Sequence, residues 1–466
     1  MAMQAARVFP HLSIAIPFPP YACRSGRSKS AAIRDKGKQW SVGPRRISRL
    51  HAMMALSTTS WNRAGTPLNK SLSNFLDLAR WIAALAVLLG HAAVLAQISD
   101  IMVAPHGPGV YAWWFLTAFS HQAVLVFFVI SGFLVGGDVL RKRRRSEPFL
   151  LDYYVNRFSR IYVVMIPALA FGFIIDSIGR RIFPDSGIYD APFFEGIYNP
   201  ANIFWALLQQ QSIWTTQAGT NGPLWSLACE MWYYITFPLL LLPLSNAYSK
   251  NIRISAFVLG AAAVVFMAIP KSFFLFGYFA WIAGALMRIA PRPAIRSTLL
   301  SLGLFLATIT VVRLAVRGPI LAAYPILTTL ADAAVTATFA NVLLSLRFCE
   351  KDQLFAGLRP IHRRLSDFSY SLYATHAPIV FFVWAGAGSL LGKDWHKQLA
   401  TPLHWTLAFS VIFVAILFAY AFSRVTEART AKLRALLRAA LGVERASGSI
   451  PPGRLVEAPE LQREEA

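Results

Sequence analysis

Apolar runs of helix-spanning length recur along most of this chain, and they limit its fold more than any other feature. Each run is near the roughly 20 residues that a helix needs to cross a bilayer. The predicted spans are residues 75–97, 111–137, 159–178, 224–244, 255–270, 273–290, 298–316, 321–346, 367–388 and 404–424. The sequence therefore predicts an all-α integral membrane protein, a single bundle of about ten transmembrane helices. The short fifth and sixth runs leave a re-entrant pair as the alternative there.

Composition and charge agree with a lipid environment. Of the 466 residues, 56% are hydrophobic and 14% are charged, whereas a soluble domain has about 25% charged residues. The net charge of +23 could suggest nucleic acid, but the basic residues lie in the N-terminal tail and in short loops between the apolar runs. That placement follows the positive-inside rule. We therefore expect the lipid bilayer, and no nucleic acid, as the partner of these charges.

The loops alternate between a basic set and a set poor in basic residues. With a cytoplasmic N-terminus, the cytoplasmic loops contain seventeen basic residues: Arg141, Lys142, Arg143, Arg144, Arg145, Arg157, Arg160, Lys250, Arg253, Arg288, Arg292, Arg296, Arg347, Lys351, Arg359, Arg363 and Arg364. The loops of the opposite side have only Arg180, Arg181, Lys271, Arg317, Lys393 and Lys397. This asymmetry predicts that both termini face the cytoplasm.

Composition divides the chain into three segments. Residues 1–70 hold twelve Lys or Arg residues and one acid, Asp35, so we expect a disordered tail, with Met53 or Met54 as an alternative start. Residues 71–427 form the predicted transmembrane domain. Residues 428–466 become charged and then Gly- and Pro-rich, as expected of a dispensable cytoplasmic tail. The three cysteines are widely spaced without a CxxC, which indicates neither a disulfide framework nor a metal site.

Ionisable residues inside apolar spans are costly, so they are candidates for function. In the first span Arg80 and His91 are eleven residues apart, which places them on one helix face about 16 Å apart along the axis. Asp77, one turn before Arg80, is positioned to pair with it. The alternatives are a structural ion pair for Asp77 and Arg80, and an interhelical hydrogen bond for His91.

The fourth span opens with a second polar group of residues. Asn221 precedes the helix start at Pro223, and Trp225 follows. Ser226, Glu230 and Tyr234 recur every four residues and share one face. A purely structural ion pair is the alternative for Glu230.

Three further motifs add less chemistry by themselves. Ser131, Gly132 and Gly136 are typical of close helix packing. Arg157 and Arg160 lie at the cytoplasmic mouth of the third span, where they would either clamp phosphates or anchor the helix. His376 lies in the ninth span and is either a packing histidine or a second site residue.

Taken in this order, these segments resemble the acyltransferase-3 family of membrane-bound acyltransferases. The resemblance runs from about Asn74 to Glu427. Its motifs are Leu76–Arg80 with His91, Phe128–Leu134, Arg157–Tyr162, Asn221–Glu230, and Ser369–Tyr373 with His376. One departure is Val163–Val164, where the family often has a proline.

The resemblance implies transfer of an acyl group, commonly acetyl from acetyl-CoA, to a hydroxyl of a glycan, a glycolipid or occasionally a macrolide. It implies the bacterial inner membrane, acyl-CoA as co-substrate and no cofactor. The essential Arg and His of the family correspond to Arg80 and His91, and its paired arginines correspond to Arg157 and Arg160.

We expect the CoA phosphates near these three arginines and the thioester near His91, which would deprotonate the acceptor or carry the acyl group transiently. Glu230 would orient His91 or hold Arg80. The other residues expected along the substrate path are Asp77, Asn221, Trp225, Ser226, Tyr234 and His376. The main alternative is a transporter or flippase with a proton relay through His91 and Glu230. A non-catalytic scaffold is the second alternative.

Overall fold

The computed structural model describes residues 68–96, 107–144, 146–271, 273–315, 325–350, 355, 357–397 and 400–442. The predicted disordered tail before residue 68, the alternative start at Met53 or Met54, and the Pro-rich end of the C-terminal tail lie outside the described residues. Within those ranges the chain is helical, and the only β-type pairing is an isolated bridge between Gln211 and Thr215.

Fifteen α-helices are present in the described ranges. They are α1 (Lys70–Ala92), α2 (Pro108–Leu116), α3 (Ser120–Ser131), α4 (Gly137–Lys142), α5 (Leu150–Ile182), α6 (Ala201–Leu207), α7 (Trp225–Leu241), α8 (Lys250–Ala268), α9 (Phe273–Met287), α10 (Thr298–Ala315), α11 (Pro325–Arg347), α12 (Arg359–Ser366), α13 (Ser369–Leu391), α14 (Pro402–Val425) and α15 (Thr430–Ala440).

The predicted apolar runs correspond to these helices in order. Nine helical segments of the described ranges are long and apolar enough to cross a membrane, and α9 is a shorter apolar helix. The prediction of an all-α membrane protein is confirmed, whereas the count of ten spans and the orientation of the termini stay predictions. Of the two short runs, the fifth is a helix of 19 residues, which is long enough to span, so the shortness belongs to α9.

Large apolar side chains cover the outer faces of the peripheral helices. Val258 and Leu259 on α8, Leu299 on α10 and Phe413 on α14 are each exposed by more than half. Water would penalise such continuous apolar faces, whereas lipid tails solvate them. The centre of the bundle is α13, which packs against α1, α5 and α14 and is buried along most of its length.

Glycines let α3 and α9 approach to backbone contact. A Cβ on Gly132 would lie 1.7 Å from the carbonyl oxygen of Trp281, and a Cβ on Gly284 would lie 2.0 Å from that of Val129. The prediction of close packing at Ser131, Gly132 and Gly136 is therefore confirmed. Residues Gly132–Gly136 form a π-helical turn, a distortion that is frequent beside functional sites.

The connections and the C-terminal segment differ from expectation in two places. The short aromatic stretch over residues 203–214, which ends the longest loop of the side expected to be extracytoplasmic, predicts an interfacial helix. The helix found is shorter, because α6 ends at Leu207 and an irregular loop follows. The first part of the C-terminal tail is not a loose extension, since α15 packs against α5 and Arg438 pairs with Asp152 at 2.5 Å. The start of this tail is thus part of the folded body.

Candidate active site

Two histidines from different helices meet at the centre of the bundle. His91 lies near the end of α1, and His376 is fully buried in α13. Nε2 of His376 lies 3.2 Å from Nδ1 of His91, and the rings meet edge to face with centroids 4.9 Å apart. The structure therefore brings together two predicted site residues that are 285 positions apart in the sequence.

The surrounding carbonyls define the tautomer of both rings. Nδ1 of His376 lies 3.1 Å from the carbonyl oxygen of Leu372 and 2.9 Å from that of Tyr373. Carbonyl oxygens only accept, so this nitrogen carries the proton of a neutral ring and Nε2 is an acceptor. Nδ1 of His91 then faces two acceptors, His376 Nε2 and the Val87 carbonyl oxygen at 2.9 Å. In the neutral state His91 is thus protonated on Nδ1, with its lone pair on Nε2.

A proline next to His376 explains where Asn221 binds. Pro378 has no N–H, so the carbonyl oxygen of Ala374 loses its usual donor four residues later in α13. The side-chain amide of Asn221 donates to this oxygen at 2.8 Å. Gly172 of α5 leaves room for the contact, since a Cβ there would lie 3.4 Å from Pro378 and 3.8 Å from Asn221. The position of Asn221 before Pro223 favours a cap on its own helix. Its side chain instead braces α13, two residues from His376.

A second proline in α7 works in the same way. Pro238 leaves the carbonyl oxygen of Tyr234 without its helical donor, and the hydroxyl of Tyr153 donates to it at 3.1 Å. Both freed carbonyls therefore accept a hydrogen bond from a side chain elsewhere in the bundle, which ties α7 and α13 to their neighbours at these prolines.

Ser226 reaches the histidine pair through a tyrosine that sequence reasoning missed. Its hydroxyl lies 2.6 Å from the hydroxyl of Tyr373, which also donates to the carbonyl oxygen of Pro223 at 2.8 Å. Tyr373 is three residues before His376, whose Nδ1 contacts its carbonyl oxygen. The start of α7 is thus tied to the turn of α13 that carries the histidine.

Glu230 and Tyr234 pair with each other, as their shared face predicted. The hydroxyl of Tyr234 donates to Oε1 of Glu230 at 2.6 Å and lies 2.9 Å from the hydroxyl of Ser131. Within the described residues Glu230 makes no hydrogen bond to His91 and no ion pair with Arg80. The contact with His91 that was expected of Glu230 is made by His376, because α13 packs beside this part of α1.

The three predicted arginines gather at the other end of the Arg80–His91 stretch. Arg80 interacts electrostatically with Arg160 and Tyr234, and Tyr234 interacts with Arg157. The Asp77–Arg80 pair is long, at 3.9 Å. Arg160 is exposed at the bundle surface, with its guanidinium 6.0 Å from the ring of Tyr370. The predicted cluster of like charges is therefore present.

Glu427, which sequence reasoning did not select, is the acid that faces this cluster. Its Oε1 lies 3.6 Å from Arg160, and Ser371 donates to its Oε2 at 3.2 Å. It also interacts electrostatically with Arg80. A signal existed in the sequence, since Glu427 follows the tenth apolar run in a segment dominated by basic residues.

A cavity of about 230 Å³ opens beside Arg157. Arg141, Arg157 and Arg288 line it together with one acid, Asp138. The Nε of Arg157 is buried without a hydrogen-bond partner among the described residues. Three guanidinium groups therefore face one carboxylate in the lining of this cavity, a charge balance that favours an anion.

Trp225, another predicted site residue, is the first residue of α7. It packs edge to face against Phe128 and Phe273, with centroids 6.3 and 4.9 Å apart. These contacts place its ring between α3, α7 and α9, and its expected position on the substrate path stays a prediction.

Comparisons with known proteins identify the family of the chain. An acyltransferase domain model, acyltransferase-3, matches residues 73–424. Acyltransferase MdmB of Streptomyces mycarofaciens is 27% identical over 410 residues, covering 82% of this chain and 96% of that protein. O-acetyl transferase of Shigella phage Sf6 is 27% identical over 193 residues, covering 40% of this chain and 51% of that protein. Nodulation protein 10 of Rhizobium leguminosarum bv. viciae is 28% identical over 200 residues, covering 41% and 49%.

No solved structure matches the chain. The family model nevertheless covers about three quarters of the sequence and contains every predicted site residue from Asp77 to His376. The chain therefore belongs to the acyltransferase-3 family.

Proposed function

We propose that this protein transfers an acyl group, most simply acetyl, from acyl-CoA to a hydroxyl of a glycan or glycolipid acceptor. The observation that carries the proposal is the histidine pair, which leaves the lone pair of His91 on Nε2. The similarity to a phage O-acetyl transferase supports a hydroxyl as the acceptor group and acetyl as the acyl group.

The arginine cluster supports CoA as the donor. Arg80, Arg157 and Arg160 provide fork-shaped donors suited to phosphate, and the cavity beside Arg157 adds Arg141 and Arg288. The distance from Arg80 to His91 along α1 is about 16 Å. An extended phosphopantetheine arm is of similar length, so phosphates at the arginines would present the thioester at the histidines.

In the proposed reaction His91 acts as general base. Its Nε2 takes the proton of the acceptor hydroxyl while the hydroxyl oxygen attacks the thioester carbonyl carbon. The C–O bond forms, the C–S bond breaks, and the histidine returns the proton to the CoA thiolate. His376 does not touch the reacting atoms and serves as a positioning residue. The alternative is a transient acyl-histidine, in which Nε2 attacks the thioester first.

The proton-relay transporter has less support. Such a relay would need Glu230 in contact with the histidines, whereas its hydrogen bond goes to Tyr234. A cytosolic donor also fits a location in the bacterial inner membrane, which we propose for this protein.

The first experiment is mass spectrometry of surface glycans and glycolipids from a deletion strain complemented with wild type or His91→Ala. An acyl mass increment that only the wild type restores would support the transferase and identify its product. Equal acylation in the His91→Ala strain, at equal protein level, would remove His91 from the reaction. No difference in any fraction would favour the transporter.

A further inference from the structure

A groove of about 400 Å³ lies at the end of α5 that is opposite to the arginine cluster. Its volume falls within the roughly 300–1,000 Å³ typical of small-ligand sites. Arg160 and Arg180 are 20 residues apart on α5, which separates the two regions by about 30 Å. The lining residues used below are Ser177, Arg180, Arg181, Phe183, Tyr189 and Asp190.

The charges of this groove are unusual for its side of the membrane. The loops on the side expected to be extracytoplasmic have six basic residues, and two of them, Arg180 and Arg181, line the groove. A third, Lys393, lies close by, since its side chain is 3.4 Å from where a Cβ of Gly187 would be. Because the positive-inside rule depletes basic residues from that side, their concentration here indicates a ligand.

The wall of the groove is built rather than incidental. The guanidinium of Arg180 lies over the ring of Tyr198, 4.3 Å from its centroid. Gly179 is required at the wall, because a Cβ there would lie 2.0 Å from the hydroxyl of Tyr189. Below it, the buried carboxylate of Asp176 accepts from the backbone N–H and the hydroxyl of Thr220, both at 2.7 Å.

One polar atom of this wall lacks a partner. Tyr189 is 4% exposed, and its hydroxyl makes no hydrogen bond to a described residue. Burial raises the pKa of this phenol, so the hydroxyl stays protonated and able to donate. This hydroxyl lies against Gly179 with almost no accessible surface, so Tyr189 shapes the wall of the groove and does not offer a donor to a ligand.

Two sets of contacts link the wall of the groove to the helix α13 that carries His376. The ring of Phe183 lies against α13, since a Cβ added to Gly386 would be 3.3 Å from it. Gly386 is ten residues after His376, or about 15 Å along the helix. Thr220, held by Asp176, precedes Asn221, which braces α13 beside His376. A ligand bound in the groove therefore lies within one short oligosaccharide of the proposed base.

We infer that this groove binds a sugar unit of the carbohydrate acceptor, with Arg181 and Asp190 as hydrogen-bonding partners and Phe183 as the apolar surface. The inference rests on the proposed function and adds to it. The acceptor is an extended glycan that one sugar anchors in the groove while another presents its hydroxyl to His91.

The test uses full-length protein in nanodiscs, [¹⁴C]acetyl-CoA, and surface glycan extracted from the deletion strain as the acceptor. The extract concentration that gives half-maximal labelling should rise about tenfold in Arg181→Gln and about fivefold in Asp190→Asn. The apparent KM for acetyl-CoA should stay unchanged in both. The matched control is Lys271→Gln, which removes a charge from the same expected side but does not line the groove.

Each other outcome overturns a defined part of this inference. An unchanged extract titration in both variants, or an equal change in Lys271→Gln, would exclude the groove while leaving the transferase intact. A raised KM for acetyl-CoA would assign the groove to the donor. No labelling by the wild type would overturn the proposed function together with the groove. Melting of each variant in nanodiscs reports its folding, and Asp190→Asn changes only the charge of an exposed side chain.

Discussion

Around His91 the polar groups are paired and enclosed, whereas around Arg80 cations outnumber the acids that face them. His376 is fully buried, and its ring nitrogens contact two carbonyl oxygens and the neighbouring histidine. Arg80 has an acid at 3.9 Å, and Arg160 keeps 47% of its side chain exposed. Both regions belong to the same stretch of α1, about 16 Å apart.

This difference between the two regions fits the two separate roles that we propose for them. A ring held in one tautomer has little freedom, which suits proton transfer to a defined atom. Cations without a matching number of acids repel one another until an anion binds, which suits a substrate carrying phosphates. Loss of a partner should therefore lower kcat at the histidines and raise KM at the arginines.

The largest effect is expected for His91→Ala. Removal of a general base typically costs about 10²–10⁴-fold in rate, so kcat for acyl transfer should fall by that factor with little change in the KM for acetyl-CoA. Radiolabel transfer in nanodiscs measures both parameters. A normal kcat in this variant would mean that the enclosed region around His91 is structural and takes no part in the reaction.

The second prediction concerns the histidine that holds His91. His376→Leu removes the acceptor for the His91 Nδ1–H, although the Val87 carbonyl oxygen remains. We expect kcat to fall on the order of 10²-fold, less than the roughly 10⁴-fold cost of the wrong tautomer in serine proteases. His376→Gln offers an amide oxygen in place of Nε2 and should recover part of the rate.

A merely structural role for His376 predicts a different pattern. Both variants would then lose melting temperature and activity together, and the pH–rate profile would keep its shape. Equal kcat in His376→Leu and His376→Gln, with equal stability, would also exclude the positioning role.

The third prediction moves to the arginine end. Arg80→Lys keeps the charge but loses the planar fork, so we expect the KM for acetyl-CoA to rise about tenfold with kcat changed little. Arg292→Gln is the control, since Arg292 is an exposed basic residue on the side expected to be cytoplasmic. If Arg80→Lys lowered kcat alone, Arg80 would belong with the histidines rather than with the donor site.

Much of the fold could be predicted from the sequence, because a membrane-spanning helix is recognisable as an apolar run of sufficient length. The ten apolar runs correspond to helices of the described ranges, and Gly132 and Gly136 meet α9 as their size suggested. The shortness of the loop helix after Pro200 was not visible, since propensity alone does not fix where an interfacial helix ends.

The site was less predictable because its contacts join distant helices. Periodicity places Ser226, Glu230 and Tyr234 on one face, yet it does not say which helix packs against that face. The contact between His91 and His376 depends on α13 packing beside α1, and the partner of Asn221 depends on the missing N–H of Pro378. Such long-range pairings appear only once the bundle is assembled.

The smallest effect is expected for Asp77→Asn, although Asp77 belongs to the first of the motifs that carry the family resemblance. The Asp77–Arg80 pair is long, at 3.9 Å, and both side chains are partly exposed, and such pairs contribute about 0–1 kcal/mol. We therefore expect at most an approximately fivefold change in the KM for acetyl-CoA and an unchanged kcat. Removing an acid beside Arg80 also leaves more net positive charge to attract the phosphates of acetyl-CoA. The KM for acetyl-CoA should therefore fall rather than rise. A fall in this KM with an unchanged kcat would support a role in donor binding for the Arg80 region. A large loss of kcat would mean that Asp77 orients Arg80 for the reaction itself.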